Sequence, residues 1–138
     1  MQVYLFISGK KILGSYVGET LEEAREQLAK SLDGLSKDTA AQIETIKAGL
    51  DGKKFPMLLE RKQGLENYLK EREHLKKDKE VDQKVLADSI KKSKESYAKF
   101  EKEFLEEAEK ELKKLEDVYK IYTSSVDKFP HASLSIEG

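Results

Sequence analysis

The chain has 138 residues, 38% of them charged and 38% apolar, with a net charge of −1. Near-neutrality removes any global drive toward nucleic acid or anionic membranes, and the charged excess points to much solvated helix surface. The absence of cysteine excludes disulfides, thiolate nucleophiles and thiolate metal sites.

The opening MQVYLFISGKKILG lacks a basic n-region and an extended apolar h-region, so no signal peptide is expected. No apolar run approaches the ~20 residues that span a bilayer, and the expected setting is soluble and cytoplasmic. Residues 2–8 alternate, with Val3, Leu5 and Ile7 on one face and Tyr4, Phe6 and Ser8 on the other. That pattern predicts a strand, and with both faces apolar a strand is more often sandwiched than exposed. Gly9-Lys10-Lys11 supplies a turn, and Ile12 to Val17 a second strand, making a β-hairpin.

Thr20-Leu21-Glu22-Glu23 is a capping-box signature, so a helix follows with Leu21, Ala24, Leu28, Leu32 and Leu35 on its buried side. Asp33-Gly34 is its expected stop, which closes a ββα unit over residues 1–35. Ser36 or Asp38 would then cap a short helix to Ala48, broken by Asp51-Gly52 before a third helix opens at Pro56. That third helix carries Leu58, Leu65, Tyr68 or Leu69, and Leu75.

Lys76-Lys77-Asp78-Lys79-Glu80 holds no apolar residue. Either the chain reverses there into an antiparallel helical hairpin, or one helix runs through and needs a second chain alongside it. Reversal buries both stripes within the chain and is the preferred reading, although no Gly or Pro marks the turn. From Val81 to Tyr122 runs the strongest helical pattern: Leu86, Ile90, Tyr97, Phe100, Phe104, Ala108, Leu112, Leu115, Tyr119 and Tyr122, mostly at steps of three or four. The expected helix is roughly 60 Å long. After Thr123-Ser124-Ser125 and Phe129-Pro130, the alternation of Ala132, Leu134 and Ile136 predicts a strand that returns to the hairpin's edge.

Chemical motifs are sparse. His74, on a charged helical face, and His131 are isolated from each other in sequence, no Glu-x-x-His pattern lies on an inward helix face, and no serine lies in a Gly-x-Ser-x-Gly elbow. Ser8-Gly9-Lys10-Lys11 sits between strands and reads as a hairpin turn, not a phosphate loop. From Lys70 to Lys99 ten basic residues face seven acidic ones, and from Glu101 to Asp117 four basic face eight acidic. Only three arginines occur, and the basic stretch is poor in aromatics, which argues against a nucleic-acid partner.

The sequence thus predicts an α+β protein: a small antiparallel sheet, formed by the N-terminal hairpin plus a C-terminal strand, packed on a helix. An antiparallel helical hairpin or coiled coil projects from it. The expected division is 1–35, 36–123 and 124–138 within a single domain. The expected role is a non-enzymatic protein-binding module or inhibitor with a protein partner, without cofactor, metal or catalytic residues. Cys-free, Lys/Glu-rich chains of this size recur among phage accessory proteins that block host enzymes or immunity systems, an analogy of composition only. The alternatives are a structural coiled-coil oligomer, homodimeric through the C-terminal helix, and a protein that sequesters a small ligand or nucleotide signal. The candidate interaction residues are Tyr4, Phe6 and Tyr16 on the sheet, and Tyr97, Phe100, Phe104, Tyr119 and Tyr122 on the helix. A groove between the sheet and the helix root is the expected place for a small ligand.

Overall fold

The computed structural model describes residues 1–136; the last two residues of the expected C-terminal segment, 137 and 138, lie outside the described residues. The element order is β1 (Gln2–Ser8), β2 (Lys11–Gly18), α1 (Leu21–Leu50), α2 (Pro56–Leu75), α3 (Gln83–Tyr122), a 3-10 turn (Val126–Lys128) and β3 (His131–Ser135). The fold is α+β. The chain forms two compact units: Met1–Glu44 with Lys113 onward, and Thr45–Leu112. Among the described residues no helix is long and apolar enough to cross a membrane.

In the first unit the sheet is antiparallel with strand order β2-β1-β3, so the C-terminal strand returns to the hairpin as the alternation of residues 132–136 requires. Gly9 takes φ +60° at the first central position of the two-residue turn, where a residue with a Cβ would be strained. Residues directly opposite in an antiparallel pair share a face. Tyr4 lies opposite Tyr16 and Ser133, and Phe6 opposite Gly14 and His131. Val3, opposite Val17 and Leu134, and Leu5, opposite Ser15 and Ala132, define the other face.

α1 covers the Tyr4/Phe6 face. Phe6, Ala24 and Leu28 are fully buried, with Tyr4, Leu32 and Phe129 closing the core and Tyr16, Ile121 and Tyr122 packed at its margin. Each such side chain withdrawn from water contributes about 1.5–3 kcal/mol, and Phe6 and Leu28 have no exposed part left to lose. The start of α1 is capped as its sequence specifies: Glu23 N donates to Thr20 Oγ1 at 3.3 Å. The Glu23 carboxylate reaches one residue further back than a capping box requires, to Glu19 N at 3.1 Å.

The expected stop at Asp33-Gly34 and the separate helix from residue 36 are overturned, because α1 runs unbroken through both. Ser36, one of the two expected caps, instead donates to the carbonyl of Asp33 at 2.8 Å, and Thr39 donates to that of Leu35 at 2.8 Å, both within the helix. Lys37 pairs with Asp33 at 3.1 Å across the same turn. The buried stripe Leu28, Leu32, Thr39, Ile43 keeps helical spacing past Gly34. Burying Ile43 outweighs the roughly 1 kcal/mol that one glycine costs a helix.

In the second unit α2 and α3 run antiparallel. Phe55 meets Phe104 edge-on at 5.2 Å between ring centres, and Arg61 lies 4.0 Å over the Phe100 ring. Tyr68 Oη and Ser89 Oγ are 2.5 Å apart, and Gln83 Nε2 donates to Leu75 O at 3.1 Å. As one number rises the other falls, which is the hairpin signature. Leu58 and Leu86 are its buried leucines. Gly49, at the end of α1, admits the Phe55 ring where any Cβ would overlap it.

The Lys76–Glu80 segment is a turn. Aspartates build it where glycine or proline was sought: Asp78 Oδ1 accepts from Glu80 N at 2.9 Å. Asp82 Oδ1 accepts from Lys84 N and Val85 N at 2.9 and 3.3 Å, which caps α3. A direct check on the continuity of α1 is Gly34→Ala. A Cβ there meets nothing within 4 Å, so the variant should be more stable by about 0.5–1 kcal/mol in denaturant melts. A helix that ended at Gly34 in a left-handed residue would be destabilised instead.

Candidate binding surfaces

The sheet has two apolar faces, and the helical residues of its unit that pack on the core, from α1 and the end of α3, lie against one of them. α1 takes the aromatic one, so Tyr4 and Phe6 are interior and Tyr16 packs beside them. The exposed aromatic patch expected on Tyr4, Phe6 and Tyr16 does not exist. The aliphatic face is open in its place: Ile12 is 65% exposed, Leu134 62% and Val17 46%, around half-buried Val3, Leu5 and Ile7. An exposed apolar group of this extent has the make-up of an interaction surface.

Of the two sheet edges, β2 is blunted. Its register shifts opposite Phe6/Ile7, and Gln27 Nε2 donates to Val17 O at 3.1 Å from α1. β3 has neither device. All of its residues are exposed, and among the described residues its strand partner is β1 alone.

The candidate residues on α3 divide between the units. Tyr119, 37% exposed, and Tyr122, packed against the sheet core, belong to the first unit; Tyr97, Phe100 and Phe104 belong to the second. Phe100 and Phe104 are 5.9 Å apart and are taken up by Arg61 and Phe55, so their faces are largely spoken for. Tyr97 lies near Glu101; burial first, and then that carboxylate, hold its hydroxyl above the ordinary value. Glu101 is drawn below the usual carboxylate range, chiefly by Lys53 Nζ at 2.7 Å.

A groove of about 670 Å³ opens on the α2–α3 hairpin, lined among others by Arg61, Tyr68, Asp88, Ser89, Ser93 and Tyr97. It lies where the α3 stripe skips from Ile90 to Tyr97 and serines stand in the gap. In the first unit, by contrast, the side of the sheet facing α1 is filled by Phe6, Leu28 and Phe129. Tyr68 was read from sequence as a stripe residue, yet it is the most perturbed group in the groove. The Arg72 guanidinium, 4.5 Å over its ring, and hydrogen bonds from Ser89 and Ser93 lower its hydroxyl from 10.0 to about 8. The one sequence signal was Arg72 four residues after Tyr68, which puts both on one helix face. His74 lies in α2, in the second unit, and His131 in β3, in the first. Among the described residues no three of His, Cys, Asp or Glu converge to hold a metal ion.

Tyr68 gives a pH test. Its folded pKa is depressed, so between about pH 8 and pH 10 the unfolded chain binds more protons and stability rises with pH. Below pH 8 that contribution is gone. Phenolate absorbance near pH 8 should show one early-titrating tyrosine, and Tyr68→Phe should remove it. Absence of an early-titrating tyrosine would contradict the Tyr68–Arg72 geometry.

The chain matches no protein-family model, no curated protein and no solved structure.

Proposed function

We propose that this protein is a non-enzymatic binding module that docks an amphipathic helix of a partner protein on the open aliphatic face of its sheet. The observation that carries the reading is the exposure of Ile12, Leu134 and Val17 around Val3, Leu5 and Ile7, on a sheet whose other face is filled by α1. A three-stranded sheet is roughly 14 Å wide, and a helix with its side chains is about 10–12 Å across. One helix therefore covers one face, as α1 does opposite. Aliphatic groups of this shape recognise an apolar helix stripe and offer nothing directional for a polar substrate.

Composition supports the finer reading of a phage-type accessory protein that blocks a host enzyme or immunity system in the cytoplasm. A coiled-coil oligomer through α3 has less to use, because in the second unit Phe100, Phe104 and Ser89 already engage α2 and the segment before it. A nucleotide-sequestering role would fall to the hairpin groove. There Asp88 pairs with Lys92 at 3.0 Å and offsets the positive charge that phosphates require.

The test compares capture from cell lysate by the wild-type chain, by Ile12→Glu with Leu134→Glu, and by a control with Lys102→Glu on the exposed helix surface. A protein retained by wild type and control, and lost with the face variant at unchanged melting temperature, is the expected result. Retention that ignores the face variant would refute the docking face.

A further inference from the structure

The hydrogen-bonding directions of β3 can be read from its pairing with β1. Val3 faces Leu134 and Leu5 faces Ala132, Ile7 N donates to Pro130 O at 2.9 Å, and Ile136 N donates to Met1 O at 3.1 Å. The backbones of Pro130, Ala132, Leu134 and Ile136 therefore turn toward β1. Those of His131, Ser133 and Ser135 turn outward, since the two sets alternate along an antiparallel strand. Among the described residues no strand meets them.

We infer that β3 pairs antiparallel with β3 of a second copy of this chain about a two-fold axis at Ser133. The two three-stranded sheets then join into one.

The occupant follows from the strand itself. From Phe129 to Ile136 there is no Asp, Glu, Lys or Arg, in a chain where 38% of residues are charged. Edge strands of soluble proteins are normally blunted by charge, proline or a bulge, and β2 shows the bulge that β3 lacks. In the two-fold register Ser133 faces its own copy, and His131 faces Ser135 of the second chain, so no like charges oppose. Each of the three outward residues exchanges both its N–H and its C=O. On the aliphatic face Leu134 falls opposite Ala132 of the second copy, large against small.

Area points the same way. The open face measures roughly 14 Å by 24 Å, about 300 Å², for strands the length of β1. A partner covering one such face buries roughly 600 Å² in total, half of what a standard stable interface needs. Joined edge to edge, two copies present one continuous aliphatic platform of about twice the area, wide enough for two helices side by side. The value of that platform rests on the docking reading above; the dimer itself does not.

Sedimentation of the purified full chain over a concentration series tests the pairing. The wild type should be a dimer, and Ser133→Pro should weaken it by about tenfold or more. The lost N–H points outward, so the β1–β3 ladder and the far-ultraviolet dichroism should persist. Ser133→Cys supplies a second measurement in a chain without cysteine. Paired residues of this kind lie about 5.5 Å apart between Cα atoms, within disulfide reach. Oxidation should link two copies much faster through position 133 than through Ser31→Cys on the exposed side of α1. A wild type that stays monomeric at every concentration would overturn the inference. So would a dimer indifferent to Ser133→Pro, or equal cross-linking at positions 133 and 31. Ile12→Glu lies on the strand remote from β3 and should leave the dimer intact while abolishing partner capture. Loss of capture with dimer retained therefore reports on docking, and loss of dimer in Ser133→Pro reports on pairing.

Discussion

The first unit depends on one constraint: β1 is the central strand, apolar on both faces, and α1, with the end of α3 at its margin, packs on one of them. Period-two alternation divides its side chains without compromise, Tyr4 and Phe6 one way and Val3, Leu5 and Ile7 the other. α1 brings Ala24, Leu28 and Leu32 to the aromatic side, where larger side chains withdraw more surface per residue. What remains is an aliphatic face with no partner within the unit. A one-residue slip in register would exchange the two faces, so the Tyr4–Tyr16 and Val3–Leu134 pairings decide which surface this protein shows to others.

The second unit solves a different problem with polar groups. Its buried apolar residues are few, Leu58 and Leu86 foremost, and specific pairs set its register: Phe55 with Phe104, Arg61 with Phe100, Lys53 with Glu101, Tyr68 with Ser89. The serines of α3 leave space where a continuous apolar stripe would have closed it. That space lets Arg72 and two hydroxyl groups act on Tyr68, and it is the reason a groove exists on the hairpin at all.

Much of this was legible in the residues. Alternation in 2–8 and 132–136 and the Thr20–Glu23 cap placed the sheet and the start of its helix. Other features were not, for physical reasons. Asp33-Gly34 has the composition of a helix stop, but whether a glycine ends a helix depends on what lies beyond it, and Ile43 continues the buried stripe. The Lys76–Glu80 reversal was the preferred reading although no glycine or proline marks it; Asp78 and Asp82 supply the side-chain hydrogen bonds there. The sheet's open face could not be chosen from sequence, because both faces of β1 are apolar and the choice is made by α1 and Phe129, distant in the chain. Tyr68 was visible as a stripe residue, but its environment needed Ser89 and Ser93, which only the hairpin brings across.

The measurement closest to the centre of this account is methyl NMR of the purified chain with a soluble paramagnetic agent, which broadens signals in proportion to their exposure. The methyls of Ile12, Val17 and Leu134 should broaden strongly while those of Leu28 and Leu32 remain sharp. Equal protection of both sets would mean that the aliphatic face is covered within the molecule, and strong broadening at Leu28 would mean that α1 does not cover the aromatic one.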